Sequence, residues 1–235
     1  RLIVLNSPSN PTGAVYTTEE LQALGEVMRL HPGIMVASDD IYERITLDTR
    51  RIDNLATACP DLYERIVIIN GVSKAYSMTG WRIGYAAGPQ WLMAAMKTIQ
   101  SQCTSNPTSF AQYAAEAALL EEQDSIDTMN VIYRERHEYL VGALNRIRGI
   151  QCIPAIGAFY VFPEISGAIR ALQLRTDQEF SQTLLMKALV AVVPGSAFGA
   201  EGHIRISFAA SMEELKKGVK RIGDFVGWNR GRATL

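Results

Sequence analysis

The sequence predicts an α/β fold: a mostly parallel sheet with flanking helices over residues 1–144, then a smaller α+β domain over residues 145–235. Three observations carry that prediction. Apolar, β-branched runs alternate with helical patterns in the order strand, helix, strand, as a parallel sheet with crossover connections requires. The runs are continuous rather than alternating, which is expected of strands covered on both faces. Beyond Gly149 the strands shorten and mix with helices, marking a second and smaller domain.

Leu2–Leu5 reads as the first strand and ends in the loop Ser7–Gly13. Thr17 or Thr18 caps a helix running to about Leu30, with Glu19 or Glu20 in its first turn, and His31-Pro32-Gly33 ends it. Ile34–Ala37 is the next strand and leads into Ser38-Asp39-Asp40-Ile41-Tyr42. A looser region to Asp61 precedes a strand at Arg65–Asn70, and another strand is expected at Ile83–Ala87. Three helical patterns follow, at Gln90–Gln102, Phe110–Leu120 and Ser125 to about Ile147. The last places Met129, Ile132, Tyr133, Leu140, Ala143, Leu144 and Ile147 along one face, and it is long enough to carry the chain between domains. Short strands are then expected at Gln151–Ile153, Ala158–Phe162, Val190–Val193 and His203–Ser207, with helices at Asp177–Ala188 and Ser211–Val226. Trp228–Leu235 is expected to fray.

Composition excludes several function classes. At 48% hydrophobic and 20% charged, the 235 residues suit a soluble globular protein with a sizeable core. The net charge of -1, without a basic cluster interleaved with aromatics, argues against a nucleic-acid partner. No apolar run reaches the length of a membrane span. The cysteines (Cys59, Cys103, Cys152) are odd in number and lack CxxC spacing, which fits a reducing, cytoplasmic setting and offers no metal site. Proline occupies the middle of the triplets at Asn10 and Asn106, so neither is a glycosylation acceptor. Arg1 opens directly on a strand-like run, and the chain is expected to be a piece of something longer.

Ligands in open α/β sheets bind beyond the carboxyl ends of the strands. Asn10, Asp39 and Lys74 each follow an apolar run there, Tyr42 follows Asp39 by three residues, and Arg82 follows Lys74 by eight. Desolvation of a strand-end ammonium favours the neutral, nucleophilic amine. An arginine nearby suits an anionic group, and together they suggest covalent carbonyl chemistry on a phosphorylated cofactor. A carboxylate buried at Asp39 calls for a cation, which a protonated pyridine ring would supply. Each residue alone also has a plain structural reading. Lys74 is then a partly exposed turn lysine, Asn10 the brace of a Pro-Gly turn, and Tyr42 a core residue. Arg82 and Arg205 become ion-paired residues, Asp39-Asp40 a helix cap with Asp40 exposed, and Gly157 and Gly195 serve turn geometry.

Six motifs decide between these readings: NPTG (Asn10–Gly13), SDDIYE (Ser38–Glu43), SKAYSMTGWRIGY (Ser73–Tyr85), GAFYVF (Gly157–Phe162), VVPGSAFG (Val192–Gly199) and HIRISFA (His203–Ala209). In this order the chain resembles class I/II aminotransferases of the fold-type-I pyridoxal-phosphate superfamily, most of all the bacterial aspartate aminotransferases. The resemblance implies that Lys74 bonds the cofactor covalently and later carries the proton, and that Asp39 pairs with the pyridine nitrogen. Asn10 and Tyr42 would hydrogen-bond the ring 3-oxygen, Arg82 would bind the phosphate by a bidentate contact, and Arg205 would clamp the substrate α-carboxylate. His203 shares a strand face with Arg205, but nothing marks it as catalytic. Many relatives carry serine three positions before the lysine; this chain has Gly71, so either Ser73 or the backbone substitutes, or phosphate affinity is weaker.

The cofactor implied is pyridoxal 5′-phosphate, the substrates are an amino acid (aspartate or a related one) and a 2-oxo acid such as 2-oxoglutarate, and the assembly is a homodimer. The family's N-terminal half is expected to lie outside this chain, including its phosphate loop, an aromatic that stacks on the cofactor and residues reaching the partner subunit's site. Three other readings remain open. They are a fold-type-I lyase or decarboxylase using the same residues, an aminotransferase-like ligand-sensing domain of a transcription regulator, and an inactive piece that keeps the fold's core.

Overall fold

A computed structural model describes residues 1–48 and 52–227, and the chain divides into two compact units. The first comprises Arg1–Ser9, Ala14–Asn130 and Ile156–Ala158; the second takes Asn10–Gly13, Val131–Ala155 and the chain from Phe159 onward. The division falls inside the long helix, at Asn130, whereas the domain boundary expected from the sequence is that helix's end.

The first unit contains β1 (Leu2–Asn6), α1 (Thr18–Leu30), β2 (Met35–Asp39), α2 (Leu55–Ala58), β3 (Ile66–Gly71), β4 (Gly84–Ala87), α3 (Gln90–Cys103), α4 (Ser109–Leu120) and the start of α5 (Asp124–Leu144). Its sheet runs β1-β2-β3-β4, with the first three strands parallel and β4 antiparallel. Helix α1 begins where a capping box closes it: Glu20 N–H donates to Thr17 Oγ1 at 3.2 Å, and Thr17 N–H donates to Glu20 Oε2 at 2.8 Å. Leu21 and Met28 of α1 pack with Val36, Leu55, Cys59, Leu62 and Ile66, forming a core on one face of β2 and β3. A second cluster joins Val72 and Ile83 to Ala111 and Ala115 of α4, which anchors the segment after β3.

Burial does not follow the continuous-run expectation throughout. Val36, Ala37 and Ser38 of β2 are buried, but Leu2 and Val4 of β1 are 63% and 66% exposed. β1 is the edge strand, and the described residues leave the face carrying Leu2 and Val4 open, while Leu5 packs against the core. Helix α3 buries none of its residues, and Phe110 and Tyr113 of α4 stand in the open.

The second unit holds the rest of α5 and then β5 (Tyr160–Val161), α6 (Ser166–Ala171), α7 (Asp177–Ala188), β6 (Val193–Pro194), β7 (Ile204–Ser207) and α8 (Met212–Gly227). Its sheet is antiparallel, in the order β5-β7-β6. The buried positions of α5 are Ile126, Asn130, Tyr133, His137, Leu140, Ala143 and Leu144, so the stripe includes two polar residues and leaves Ile132 exposed. His137 earns its burial by accepting a hydrogen bond from Ala155 N–H at its Nε2 (2.9 Å), and burial lowers its pKa. Tyr133 and His137 both pack against Phe208.

The expected strand at Gln151–Ile153 shrinks to a single bridge between Gln151 and Glu164, and those at Ala158–Phe162 and Val190–Val193 shrink to β5 and β6. Helix α6 was not expected, since six residues are too few for a helical period to show. The expected fraying at Trp228–Leu235 lies outside the described residues.

Candidate active site

Because β1, β2 and β3 are parallel, their carboxyl ends lie along one edge of the sheet. Asp39, the last residue of β2, pairs with Asn6 on one side and Ile69 on the other, and its carbonyl accepts from Asn6 Nδ2 at 3.1 Å. Its Oδ1 accepts from Ile41 N–H at 3.3 Å, while its Oδ2 has no protein partner among the described residues. Tyr42, 4% exposed, lies in the turn that follows. Lys74 occupies the turn beyond β3, half-buried, with its Nζ 6.0 Å from the centre of the Tyr42 ring. The ring's electron-rich face attracts the cationic amine.

Asp40, not Asp39, is the deeply buried member of the acidic pair, which reverses the expectation that Asp40 faces solvent. It is 2% exposed, and its carboxyl accepts from Ser38 Oγ at 2.6 Å and from Asn54 Nδ2 at 2.7 Å. Alternate residues face opposite sides, so Asp40, just past the end of β2, shares the side of Ser38, and Asp39 takes the other. Burial pushes the Asp40 pKa up from 3.8 to about 6, against the lowering effect of its two hydrogen bonds. The folded state therefore holds a proton that the unfolded state releases between pH 3.8 and about 6. The stability from this group is complete below pH 3.8 and is lost as pH rises through about 6. Asp40→Asn should remove this falling limb from the pH profile of the denaturation midpoint; a limb that persists would assign it to another group.

The segment from Gly71 to Tyr85 folds back on itself. Ser77 N–H donates to Lys74 carbonyl at 3.2 Å and Met78 N–H to Val72 carbonyl at 3.4 Å. Ser77 and Arg82 adopt left-handed backbone (φ 54° and 57°), a cost that surrounding structure must offset and that often marks functional sites. Ser73 is half-buried, and its hydroxyl has no protein hydrogen bond among the described residues. Arg82 is exposed. One of its terminal nitrogens, Nη1, donates to Thr79 carbonyl at 2.9 Å. It borders an open cleft of about 530 Å³ shared with Gly80, Trp81, Pro107, Thr108 and Phe110. The last three come from a loop and helix that the sequence motifs do not reach.

Gly71 is required by packing. A Cβ there would lie 2.8 Å from Ile83 carbonyl oxygen and 3.1 Å from Gly84 Cα, so the serine of many relatives has no room at this position. Gly71→Ala should cost about 1–3 kcal/mol, as overpacking does, and show as a lower thermal midpoint. An unchanged midpoint would mean that β4 yields freely. Gly157 and Gly195 are likewise required by packing: a Cβ on Gly157 would meet the Pro8 ring at 2.6 Å, and one on Gly195 would meet His203 Cβ at 2.8 Å.

In the second unit, Asn10 and Arg205 meet although 195 positions separate them: Arg205 Nη1 donates to Asn10 Oδ1 at 2.8 Å. The guanidinium carbon lies 4.5 Å from the Tyr160 ring centre and 5.2 Å from that of Phe198. Two aromatic rings and one amide thus fix the fork, and its other N–H groups have no protein partner among the described residues. His203 stacks on Phe162 at 5.0 Å, and Phe162 meets Phe198 edge-on at 6.1 Å. His203 therefore adjoins Arg205's support, and its Nδ1 lies 3.1 Å from Glu201 carbonyl oxygen.

The donor set on the first unit fits an aromatic, anionic carbonyl compound: an amine, a phenol, a hydroxyl, a guanidinium, and a carboxylate with one open oxygen. Residues 1–222 match the family model described as aminotransferase class I and II. The chain belongs to that family. As a class I/II aminotransferase it is 53% identical over 232 residues to the aspartate/prephenate aminotransferase of Nitrosomonas europaea, covering 96% of this chain and 58% of that protein. It is 46% identical over 226 residues to the aspartate aminotransferase of Geobacillus stearothermophilus, covering 96% and 57%. The solved aspartate aminotransferase from Rhizobium meliloti superposes with a TM-score of 0.92 at 43% identity, covering 96% of this chain and 58% of that one. The chain thus spans less than two thirds of the length of these relatives, whose family uses pyridoxal 5′-phosphate.

Proposed function

We propose that the protein carrying this chain is a pyridoxal-phosphate-dependent aminotransferase. It would move an amino group between an L-amino acid, aspartate or a close relative, and a 2-oxo acid such as 2-oxoglutarate. The observation that carries this reading is the Lys74 amine held over the ring of Tyr42, three residues after the strand-end Asp39, in a chain that matches the family over residues 1–222. When bound, the cofactor supplies an electron sink that stabilises negative charge at the substrate α-carbon.

The remaining work falls to this chain's side chains. Lys74 provides the amine that holds the cofactor between turnovers, and then acts as the base and acid that moves the α-proton. Asp39, with one oxygen open, keeps a proton on the ring nitrogen. Tyr42 donates to the ring oxygen. The family resemblance gives Asn10, whose Oδ1 accepts from Arg205, as a further donor to the cofactor's ring oxygen. Ser73 and Arg82 offer a hydroxyl and open guanidinium N–H groups to the phosphate. Arg205 binds the carboxylate common to amino and oxo acids, so one site serves both halves of a ping-pong exchange. The family homodimer is part of this reading.

The test is single turnover of the holoenzyme with aspartate and no oxo acid. One equivalent of oxo acid should appear per site, with the amino group left on the cofactor. Product release with the cofactor unchanged would place the activity among lyases instead. Prephenate, named for several relatives, is the second acceptor to try. Arg205→Lys should raise KM for both the amino acid and the oxo acid by about 10- to 100-fold, since a point charge replaces a fork held by charged hydrogen bonds. An effect on one substrate alone would contradict the shared clamp.

A further inference from the structure

Asp177 stands outside every motif that carries the family resemblance, yet it is 2% exposed at the start of α7. A carboxylate is costly to bury without a partner, and here no lysine or arginine among the described residues lies within ion-pairing distance. Two things offset the cost. The first turn of α7 favours negative charge, and Thr176 Oγ1 separately caps that helix by accepting from Glu179 N–H at 3.1 Å. The Asp177 carboxylate is therefore not needed as the cap. Instead its Oδ2 accepts from Ser196 N–H at 2.6 Å, a short, charge-assisted bond.

Ser196 belongs to the 3-10 turn Gly195–Phe198, which the backbone also closes. Gly195 N–H donates to His203 carbonyl at 2.7 Å, Gly199 N–H to Ser196 carbonyl at 3.1 Å and Ala200 N–H to Gly195 carbonyl at 3.0 Å. Gly195 has no space for a side chain against Ala200 carbonyl oxygen and His203. The turn ends on Phe198, whose ring lies 5.2 Å from the Arg205 guanidinium carbon. Of the side chains that confine Arg205, Tyr160 comes from β5 and is held by the sheet, whereas Phe198 stands on a short turn tied to α7 by one carboxylate.

We infer that Asp177 is a positioning residue for carboxylate recognition: it fixes the Gly195–Phe198 turn, and through Phe198 it presets the orientation of the Arg205 fork. This rests on Arg205 being the carboxylate clamp. A flexible fork loses side-chain freedom on binding, and an arginine already confined loses less. The contribution of Asp177 therefore appears in substrate affinity rather than in the chemical step.

The experiment measures KM and kcat of the holoenzyme for the amino acid and the oxo acid, and the reactivity of an amine that lacks the α-carboxylate. In Asp177→Ala, KM for both acids should rise about 10-fold, the worth of a hydrogen bond to a charged group, with kcat within about 2-fold. The amine without a carboxylate should react as with the wild type. Asp177→Asn keeps an acceptor for Ser196 N–H and should recover most of the loss. Should Asp177→Ala fold poorly, Phe198→Leu preserves apolar volume, removes the ring and should reproduce the KM increase. If Arg205→Lys raises KM for both acids while Asp177→Ala and Phe198→Leu leave it unchanged, the positioning role is overturned and the clamp stands. If Arg205→Lys leaves KM unchanged, the clamp reading falls and this inference falls with it. Equal losses for the carboxylate-free amine would show general damage and also overturn it.

Discussion

Replacing Lys74 with alanine in the full protein should abolish the cofactor's lysine-bound absorbance and lower turnover by more than about 10⁴-fold. The proton-transfer role alone is worth up to that much in comparable sites, and the covalent attachment is lost as well. No neighbour substitutes readily. Tyr42 lies against Lys74, and its phenol cannot make the covalent link to a carbonyl that an amine makes. The fold should survive, because Lys74 sits in a turn and the local core is made by Val72, Ile83, Ala111 and Ala115. Near-normal turnover in the alanine variant, with the absorbance intact, would mean another amine does this work.

Asp39→Asn is the second large effect. At about 3 Å and an effective dielectric near 20, a carboxylate stabilises a protonated ring nitrogen by on the order of 5 kcal/mol. Loss of most of that stabilisation in the transition state corresponds to about a 10³-fold fall in kcat. Asparagine has the same shape, and its carbonyl oxygen can still accept from Ile41 N–H, so the end of β2 should hold. The thermal midpoint should stay within the range of an exposed substitution while turnover collapses. A parallel loss of both would make Asp39 structural, and an unchanged rate would remove it from the cofactor.

Much of this fold is written locally. Helix α1 begins one residue after a threonine with glutamate at the right spacing, and α7 spans the predicted Asp177–Ala188. The order of apolar runs gives the parallel strands, and the candidate residues follow from where those runs stop. What the sequence hides is what depends on contact between distant segments. Asn10 and Arg205 touch across 195 positions, and no local pattern signals that bond. Which of Asp39 and Asp40 faces inward depends on where β2 ends, at Asp39 rather than Ala37, and on Ser38 and Asn54 supplying donors. The exposure of β1 escapes an apolar pattern because such a pattern records what a strand can bury, not what covers it in this unit. Phe198 and Tyr160 sit inside recognisable motifs, but their part in confining Arg205 needs the antiparallel pairing of β5 and β6 with β7.

The most direct measurement is borohydride reduction of the full, cofactor-loaded protein, followed by proteolysis and mass spectrometry of every lysine-containing peptide. The pyridoxyl-phosphate mass should appear on the peptide carrying Lys74 and should be lost from it when substrate amine is added before reduction. The same mass on a different lysine, or a catalytically competent holoenzyme with Lys74 unmodified, would contradict the account.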